Sequence, residues 1–373
     1  MRPTHAVVDL AAIRHNIRLL ASHLRGASLT AIVKANAYGH GAVAVSKAAL
    51  SAGAASLAVA IPEEGVELRE AGIAVPVFVL GLILPEQADI AIKHRLIAPV
   101  CTIDCAAALS AEAVRQGRRA YVMIKIDTGM GRIGLSPGQV PSFTNEIAKM
   151  PALEIMGIFT HMAAADASDK TYSNEQLQIF QDTLASVKTA KVSLPYISAA
   201  NSAGIIDLPD SHFNLVRAGI ALYGLPPSGD MHNRPSLVPA MQLKTHITYI
   251  KYVLAGAKIG YGCTHTTTSS TYIATLPIGY ADGYSRQLSN KAEVLIGGIR
   301  RKLVGRVCMD QIMVDLGPDC NAEVGEEVVL FGRQGKEEIT ATELADIAGT
   351  INYELVCSIS ARVPRIYINE REA

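Results

Sequence analysis

Neither sign of charge is in excess: 34 Lys and Arg stand against 34 Asp and Glu, for a formal net charge of +0. Without a basic surplus there is no electrostatic reason to expect nucleic acid or an anionic membrane as a partner. No apolar run reaches the roughly 18 residues that a transmembrane helix needs, so none is expected. The opening MRPTHAVVDLAAIRHN is interrupted by His5, Asp9, Arg14 and His15 too early for a signal-peptide core. The six cysteines, Cys101, Cys105, Cys263, Cys308, Cys320 and Cys357, form no CxxC pair and no zinc spacing. They read as reduced thiols of a cytoplasmic protein, with no metal site expected. Tryptophan is absent and aromatics are sparse, yet Tyr outnumbers Phe 13 to 6, which singles out individual tyrosines. No fixed-period repeat and no low-complexity tract occurs.

What the chain does have is apolar content, 49% over 373 residues, enough to bury a large core. That length suits a barrel of roughly 250 residues plus a smaller domain. Behind Asp9, residues 10–24 carry apolar positions at helical spacing. Strands are then expected at 29–33, 57–61, 75–80, 98–101, 120–126, 154–160, 196–199 and 215–218. Helices are expected between most of them, at 42–52, 62–71, 85–94, 106–116, 138–150, 173–190 and around 204–208. Eight β-then-α units with near-continuous apolar strands predict a parallel sheet buried on both faces, closed as a (β/α)8 TIM-type barrel.

The pattern changes at 226–235, PPSGDMHNRP, which reads as a boundary. Beyond it the chain is strand-like, at 241–253, 271–276, 293–296, 302–307, 313–316 and 327–330. One helix is expected at 340–348, with Thr340 as N-cap and Glu343 completing a capping box. The expected organisation is therefore an α/β barrel over residues 1–235 and an all-β domain over 236–373, with the charged tail 369–373 frayed.

The stretch LTAIVKANAYGHG, residues 29–41, dominates the chemistry. A lysine where a buried strand ends is costly unless paired or neutralised. A carbonyl cofactor would remove that cost by forming a Schiff base with Lys34; a side chain snorkelling to solvent is the plainer reading. Other polar residues fall at the same ends of other strands: Lys125, Asp127 and Arg132 after the fifth, His161 after the sixth, Asn201 and Ser202 after the seventh, Arg217 at the eighth. Barrels gather reactive groups there, and often bind phosphate with the last two such loops. The amides of Gly219 and Ile220 and the Ser202 hydroxyl suit that anion, although Gly and Ser are also ordinary turn residues.

The stretches VKANAYGHG, IDTGMGRIG, FTHMAAAD, AANSAG, VRAGIALYG, GYG, LPIGYADGYSR, GRVCMDQIMVD and TINYEL…SARVPR resemble, in order, the motifs of the alanine racemase family. They span residues 33–365. The resemblance implies pyridoxal 5'-phosphate as cofactor and a homodimer with shared active sites. It implies that Lys34 holds the cofactor and that Tyr261, donated across the dimer interface, is a second base. Arg217 then faces the pyridine nitrogen, and His161 bridges Arg217 and Tyr261. Arg132 lies near the phenolic oxygen and the substrate carboxylate. Lys125 matches a lysine carbamylated in many members, whose negative charge would orient Arg132. Tyr38, Ser202, Gly219, Ile220 and Tyr353 would cradle the phosphate, with Asn201 beside them. Met309 of the second subunit would meet the substrate carboxylate. Asp166, Tyr280, Arg286, Arg306, Asp310 and Tyr353 resemble the residues of the substrate entryway.

Racemisation removes a proton from one face of Cα and returns it on the other, so two bases on opposite faces are needed. Lysine and tyrosine, with ordinary pKa values of about 10.4 and about 10, need help from their surroundings. Arginine at the pyridine nitrogen holds its proton, leaving the ring a weaker electron sink than a carboxylate partner would. The expected activity is interconversion of L- and D-alanine for peptidoglycan. Alternatives are a related racemase acting on serine or basic amino acids, a decarboxylase on the same barrel, a non-catalytic pyridoxal-phosphate-binding barrel and a cofactor-free structural barrel. Plain readings also stand beside the single residues: Lys125 in an ion pair with Asp127, His161 as a core histidine, Arg286 and Arg306 as solvated charges.

Overall fold

The computed structural model describes residues 2–187 and 192–370. Two compact units emerge, each discontinuous in sequence. One comprises Ala12–Ala37 and Ala42–Val238; the other comprises Met1–Ala11, Tyr38–Gly41 and Pro239–Ala373.

The chain begins with a strand that the sequence pattern did not suggest, β1 (His5–Asp9), which belongs to the second unit. The eight barrel strands follow as β2 (Ser28–Ile32), β3 (Ser56–Val59), β4 (Val77–Val79), β5 (Ile97–Val100), β6 (Ala120–Lys125), β7 (Leu153–Phe159), β8 (Tyr196–Ser198) and β9 (Leu215–Ala218). All expected barrel strands are present, with ends shifted by a residue or two. They form one parallel sheet in the order β8-β7-β6-β5-β4-β3-β2-β9. The Arg217 amide donates to Ala200 O at 3.1 Å, bringing the two end strands together and nearly closing the ring. β3, β4, β5 and β9 are buried at every position, as a sheet covered on both faces requires.

Local chemistry sets the helices. Ile103–Gln116 starts at Thr102, whose hydroxyl accepts from the Cys105 amide, and stops at Gly117 with φ 62. The expected helices at 85–94 and 138–150 each open with a 3-10 turn instead, at Pro85–Gln87 and Pro137–Gln139. The helix expected at 173–190 runs Thr171–Val187, and positions 188–190 lie outside the described residues. Positions 371–373 of the charged tail also lie outside them.

The second unit centres on a seven-stranded mixed sheet. Its main path runs Ile299–Lys302, Glu293–Ile296, Glu327–Gln334, Met241–His246, β1 and Arg365–Ile368, and β1 pairs with Arg365–Ile368 in parallel. Three corrections to the sequence reading fall here. The expected strand 241–253 is two, Met241–His246 and Tyr249–Val253, which join different sheets. The strand expected at 302–307 lies earlier, at Ile299–Lys302, because Gly297 and Gly298, both at positive φ, make a tight turn after Ile296. A second helix, Asn352–Cys357, accompanies Ala341–Ala348. Thr340 caps the latter by accepting from the Glu343 amide at 2.9 Å. The reciprocal half of the box is not made: Glu343 accepts from Arg300 Nη1 at 2.6 Å instead.

Residues 38–41 sit in this unit because two glycines allow it. A Cβ on Gly39 would overlap Val356 O, and one on Gly41 would overlap the Tyr367 hydroxyl. Both have positive φ, 82° and 103°, where glycine carries no steric penalty. Arg365 Nε locks the loop by donating to Gly39 O at 2.8 Å.

Candidate active site

Lys34 follows β2 after one intervening residue and opens an unusual turn. Ala35, Asn36 and Ala37 have φ of 51–53° with ψ of 48–52°, and Tyr38 has φ 51°. This is a left-handed helical turn made without glycine, which costs on the order of 1–2 kcal/mol per residue. Such strain persists only where surrounding contacts enforce it. Here the Ala35 amide donates to Glu64 Oε1 at 2.6 Å, the Ala37 amide to Val33 O at 2.8 Å, and the Ala42 amide to Asn36 Oδ1 at 2.8 Å. Glu64 also accepts through Oε2 from the Ala60 amide at 2.7 Å, so one carboxylate ties the Lys34 turn to the β3 exit. The sequence reading missed Glu64; its only signal is a Pro-Glu-Glu helix start directly after a buried strand. Replacing Glu64 with Leu is expected to lower the stability of the cofactor-free protein by about 2–3 kcal/mol, since charge-assisted amide bonds are lost together. Urea unfolding, with amide exchange at Ala35 and Ala60, reads this out; unchanged exchange at both would remove Glu64 from the role.

Arg217 is the buried centre of the barrel mouth, 5% exposed. Its Nη1 donates to Ser198 Oγ at 2.5 Å, and its Nη2 to Thr160 O at 2.8 Å and Ala199 O at 3.1 Å. Nη2 also lies 3.2 Å from His161 Nδ1. A guanidinium only donates, so Nδ1 is the acceptor and the imidazole proton sits on Nε2. Burial lowers the Arg217 pKa to about 10, which leaves it charged at neutral pH. His161 is held well below its ordinary value by burial and then by the charges of Arg217, Arg132, Lys125 and Lys34. It is therefore neutral. Gln176, also missed, anchors it from behind by donating to His161 O at 3.2 Å and accepting from the Ala163 amide at 2.8 Å.

Lys125 is 2% exposed and donates to Ile126 O at 2.7 Å. It makes no ion pair with Asp127; that carboxylate instead accepts from the Gly129 and Gly131 amides at 2.9 and 3.1 Å and shapes the Arg132 loop. Both buried cations stand over the Phe159 ring, with Lys125 Nζ 5.3 Å and Arg217 Cζ 5.8 Å from its centroid. Burial first, then Arg217 and Arg132, bring Lys125 down to about 7, with Asp127 opposing. The folded chain thus binds fewer protons than the unfolded one between about pH 7 and about 10.4, and stability rises with pH through that window. His161 acts with the same sign lower down: below about pH 6.5 only the unfolded chain takes its proton. The unfolding free energy of the cofactor-free protein is expected to climb with pH. In Lys125→Met the climb above about pH 7 should flatten; an unaltered slope would contradict the assignment.

The loops after β8 and β9 form an amide cradle. Ser202 Oγ accepts from the Gly219 amide at 2.8 Å and the Ala221 amide at 3.3 Å, with Ile220 between them. Asn201 is engaged structurally: its Oδ1 accepts from the Gly204 amide as an N-cap, and its Nδ2 donates to Met162 O at 3.3 Å. Arg132 is exposed, and Asp166 is half-buried.

The second unit carries the other candidates. Tyr261 is 73% exposed on a turn between Gly260 (φ 74) and Gly262 (φ 71). A Cβ on Gly262 would meet Arg306 Nη1 at 3.1 Å, so the turn lies directly against that guanidinium. Met309, Tyr280, Arg286 and Asp310 are also exposed. The Tyr280 and Ala281 amides donate to Cys308 O and Met309 O at 3.1 and 3.0 Å. Under this loop lies Asp282, fully buried, paired with Arg2 at 2.7 Å and Arg362 at 3.3 Å. Arg362 also holds Asp310 at 2.8 Å. Tyr38 and Tyr353 face each other with ring centroids 6.2 Å apart, and burial followed by Cys357 pushes the Tyr38 phenol above its ordinary range.

A parallel eight-stranded barrel with amines, a guanidinium and an imidazole gathered where its strands end defines an enzyme of the (β/α)8 class. The sequence model for the alanine racemase N-terminal domain matches residues 8–227, and that for the alanine racemase C-terminal domain matches 240–367. The chain belongs to the alanine racemase family. An alanine racemase of Symbiobacterium thermophilum is 50% identical over 370 residues, covering 99% of this chain and 98% of the relative. One from Halothermothrix orenii is 45% identical over 373 residues, covering 99% and 98%. Among solved structures, the alanine racemase of Clostridium difficile 630 superposes with a TM-score of 0.94 at 40% identity, covering 99% of this chain and 97% of that one. That from Bacillus anthracis with bound L-Ala-P gives 0.94 at 40% identity, covering 100% and 96%.

Proposed function

We infer that this protein interconverts L- and D-alanine with pyridoxal 5'-phosphate, supplying D-alanine for peptidoglycan in the cytoplasm, and that it acts as a homodimer with shared active sites. The observation that carries the reading is the placement of Lys34, His161, Arg217 and the Ser202 cradle at one end of the barrel, in a chain matched by the family along its length. The residues fit the cofactor. Amides that already converge on a hydroxyl oxygen suit a phosphate, and an amine stands at the strand exit where a carbonyl could be captured.

The cofactor, when bound, supplies a carbonyl that captures an amino group and a ring that draws electrons from the neighbouring Cα–H bond. The protein does the rest. Lys34 would hold the carbonyl, and its amine would take or return the proton on one face of Cα. Tyr261 of a second copy serves the other face. Arg217, whose pKa of about 10 keeps it charged, would hold the ring nitrogen as a donor without giving up its proton, and so would restrain side reactions such as transamination. His161, neutral and with its proton on Nε2, passes the orientation of Arg217 to the Tyr261 phenol. Lys125, near pKa 7, is partly unprotonated at neutral pH and can attack carbon dioxide. The amine lone pair forms the N–C bond and one proton leaves to solvent, giving a carbamate that would orient Arg132. The Gly219 and Ile220 amides would complete the phosphate cradle. The Met309 amide of the second copy would meet the substrate carboxylate, and Tyr280, Arg286, Arg306 and Asp310 would line the entry.

The deciding experiment follows Cα–H exchange in D₂O by proton NMR with each alanine enantiomer. Exchange from both, with accumulation of the opposite enantiomer, is expected. Exchange from neither, with serine, lysine or arginine exchanging instead, would replace alanine as the substrate; exchange from none would leave a cofactor-binding barrel without racemase chemistry.

A further inference from the structure

The amino ends of the barrel strands carry a second concavity, at the opposite end from Lys34 and Arg217. Its volume is about 510 Å³, within the range of about 300–1,000 Å³ usual for small-molecule sites. Its floor is apolar: Pro76, Ile97, Tyr121 and Met156. Ile97 opens β5 and Tyr121 lies one residue into β6. Tyr121 shares its side of β6 with Met123, which lines the barrel interior with Phe78, Phe159 and Arg217. Tyr121 therefore closes that interior from the amino end.

The wall is cationic: Arg69, Lys93 and Arg95, with His94 between the last two and no carboxylate among the lining residues. Arg69 is fixed by four carbonyls. Its Nε donates to His94 O at 2.9 Å, its Nη1 to Ile73 O and Val75 O at 2.7 Å each, and its Nη2 to Arg95 O at 3.2 Å. The charge is thereby immobilised, and the loops before β4 and β5 are stapled together. Burial, and then the charge of Arg95, lower the Arg69 pKa, as expected of neighbouring cations without a counterion. Among the described residues, none of Arg69, Lys93 and Arg95 makes an ion pair.

Compensation of helix dipoles accounts for Arg69 and Lys93, which stand in the last turns of Pro62–Glu70 and Ala88–Lys93. It does not account for Arg95, which lies past the helix end. Arg95 also adopts φ 51, where glycine or asparagine would be less strained. A fixed cationic wall repels a metal ion and gains little from a neutral ligand. An anion relieves it, and the apolar floor adds room for a flat body.

We propose that this amino-end cavity binds a small organic anion, its phosphate or carboxylate head on the Arg69, Lys93 and Arg95 wall and its apolar body over Tyr121 and Ile97. The site is separate from the one that performs the proposed reaction and stands whether or not that reading holds.

The test is calorimetric titration of the full-length, cofactor-loaded protein with phenyl phosphate, benzoate and the neutral benzyl alcohol. Lys93→Ala/Arg95→Gly removes two charges, and glycine suits the left-handed position. Lys93→Glu, at an exposed position, is a second variant that leaves the backbone alone. Saturable binding of phenyl phosphate or benzoate is expected, at least tenfold weaker in both variants and weaker at higher salt, with no binding of benzyl alcohol. Whichever anion binds more tightly identifies the head. An unchanged unfolding midpoint in the variants confirms that the barrel is intact. The proposal is overturned if neither anion binds saturably, or if both variants bind as the wild type does.

Discussion

Tyr261→Phe is expected to abolish Cα–H exchange from L-alanine while leaving measurable exchange from D-alanine. The phenol hydroxyl is the only group the substitution removes, and Tyr261 is an exposed turn residue, so the fold loses no buried contact. General acid–base groups contribute about 10²–10⁴-fold, and a fall of that size is expected for exchange on the face Tyr261 serves. In the proposed mechanism, exchange on the other face depends on Lys34. The reciprocal substitution, Lys34→Ala, should lose both exchange reactions, because that mechanism also assigns the lysine to holding the cofactor. Proton NMR in D₂O with separate enantiomers measures each face independently. Equal losses from both enantiomers in Tyr261→Phe would mean that tyrosine acts indirectly, and the two-base assignment would fall.

Arg217→Ala should damage the barrel as well as the chemistry. The guanidinium serves Ser198 Oγ, Thr160 O, Ala199 O and His161 Nδ1 at once. Its removal strands these acceptors in a buried site, at roughly 1–3 kcal/mol for each that finds no substitute donor. Against this, a buried charge and its desolvation disappear. A net loss of about 3 kcal/mol or more is expected, visible as a lower unfolding midpoint of the cofactor-free protein. His161 supplies a second readout that a purely structural role would not move. With its nearest cation gone, its pKa should rise towards the ordinary histidine range, followed by the imidazole NMR shifts. Arg217→Lys keeps one charge but cannot reach four partners, so it should recover part of the His161 depression and little of the stability. An unshifted His161 in Arg217→Ala would mean that burial and the other nearby cations depress it without Arg217.

The alternation of short apolar runs with helical stretches was enough to place all eight barrel strands, because a parallel strand buried on both faces must be apolar throughout. Lys34, Lys125, His161, Ser202 and Arg217 could be singled out because each puts a polar group where such a run ends. Strand β1 was missed because its partners, Met241–His246 and Arg365–Ile368, lie more than two hundred residues away in sequence. The second helix of the β-rich unit was missed because it is only six residues long, too short to show a helical period.

Sequence alone, through the order and spacing of its motifs, determined the family and the residues available for chemistry. The tertiary structure decided what those residues are. It made His161 neutral and put its proton on Nε2, by bringing Arg217 from fifty-six positions away to 3.2 Å. It brought Lys125 near neutrality by burying it beside other cations, and it turned Lys125 and Asp127, adjacent enough in sequence to suggest an ion pair, into groups with separate partners. It also recruited Glu64, whose one sequence signal is a helix start after a buried strand, and Gln176 and Asp282, whose positions in the chain announce nothing. Residue type sets what a group can do, but burial and neighbours set its protonation and orientation, and those are properties of contacts that form only when distant segments fold together.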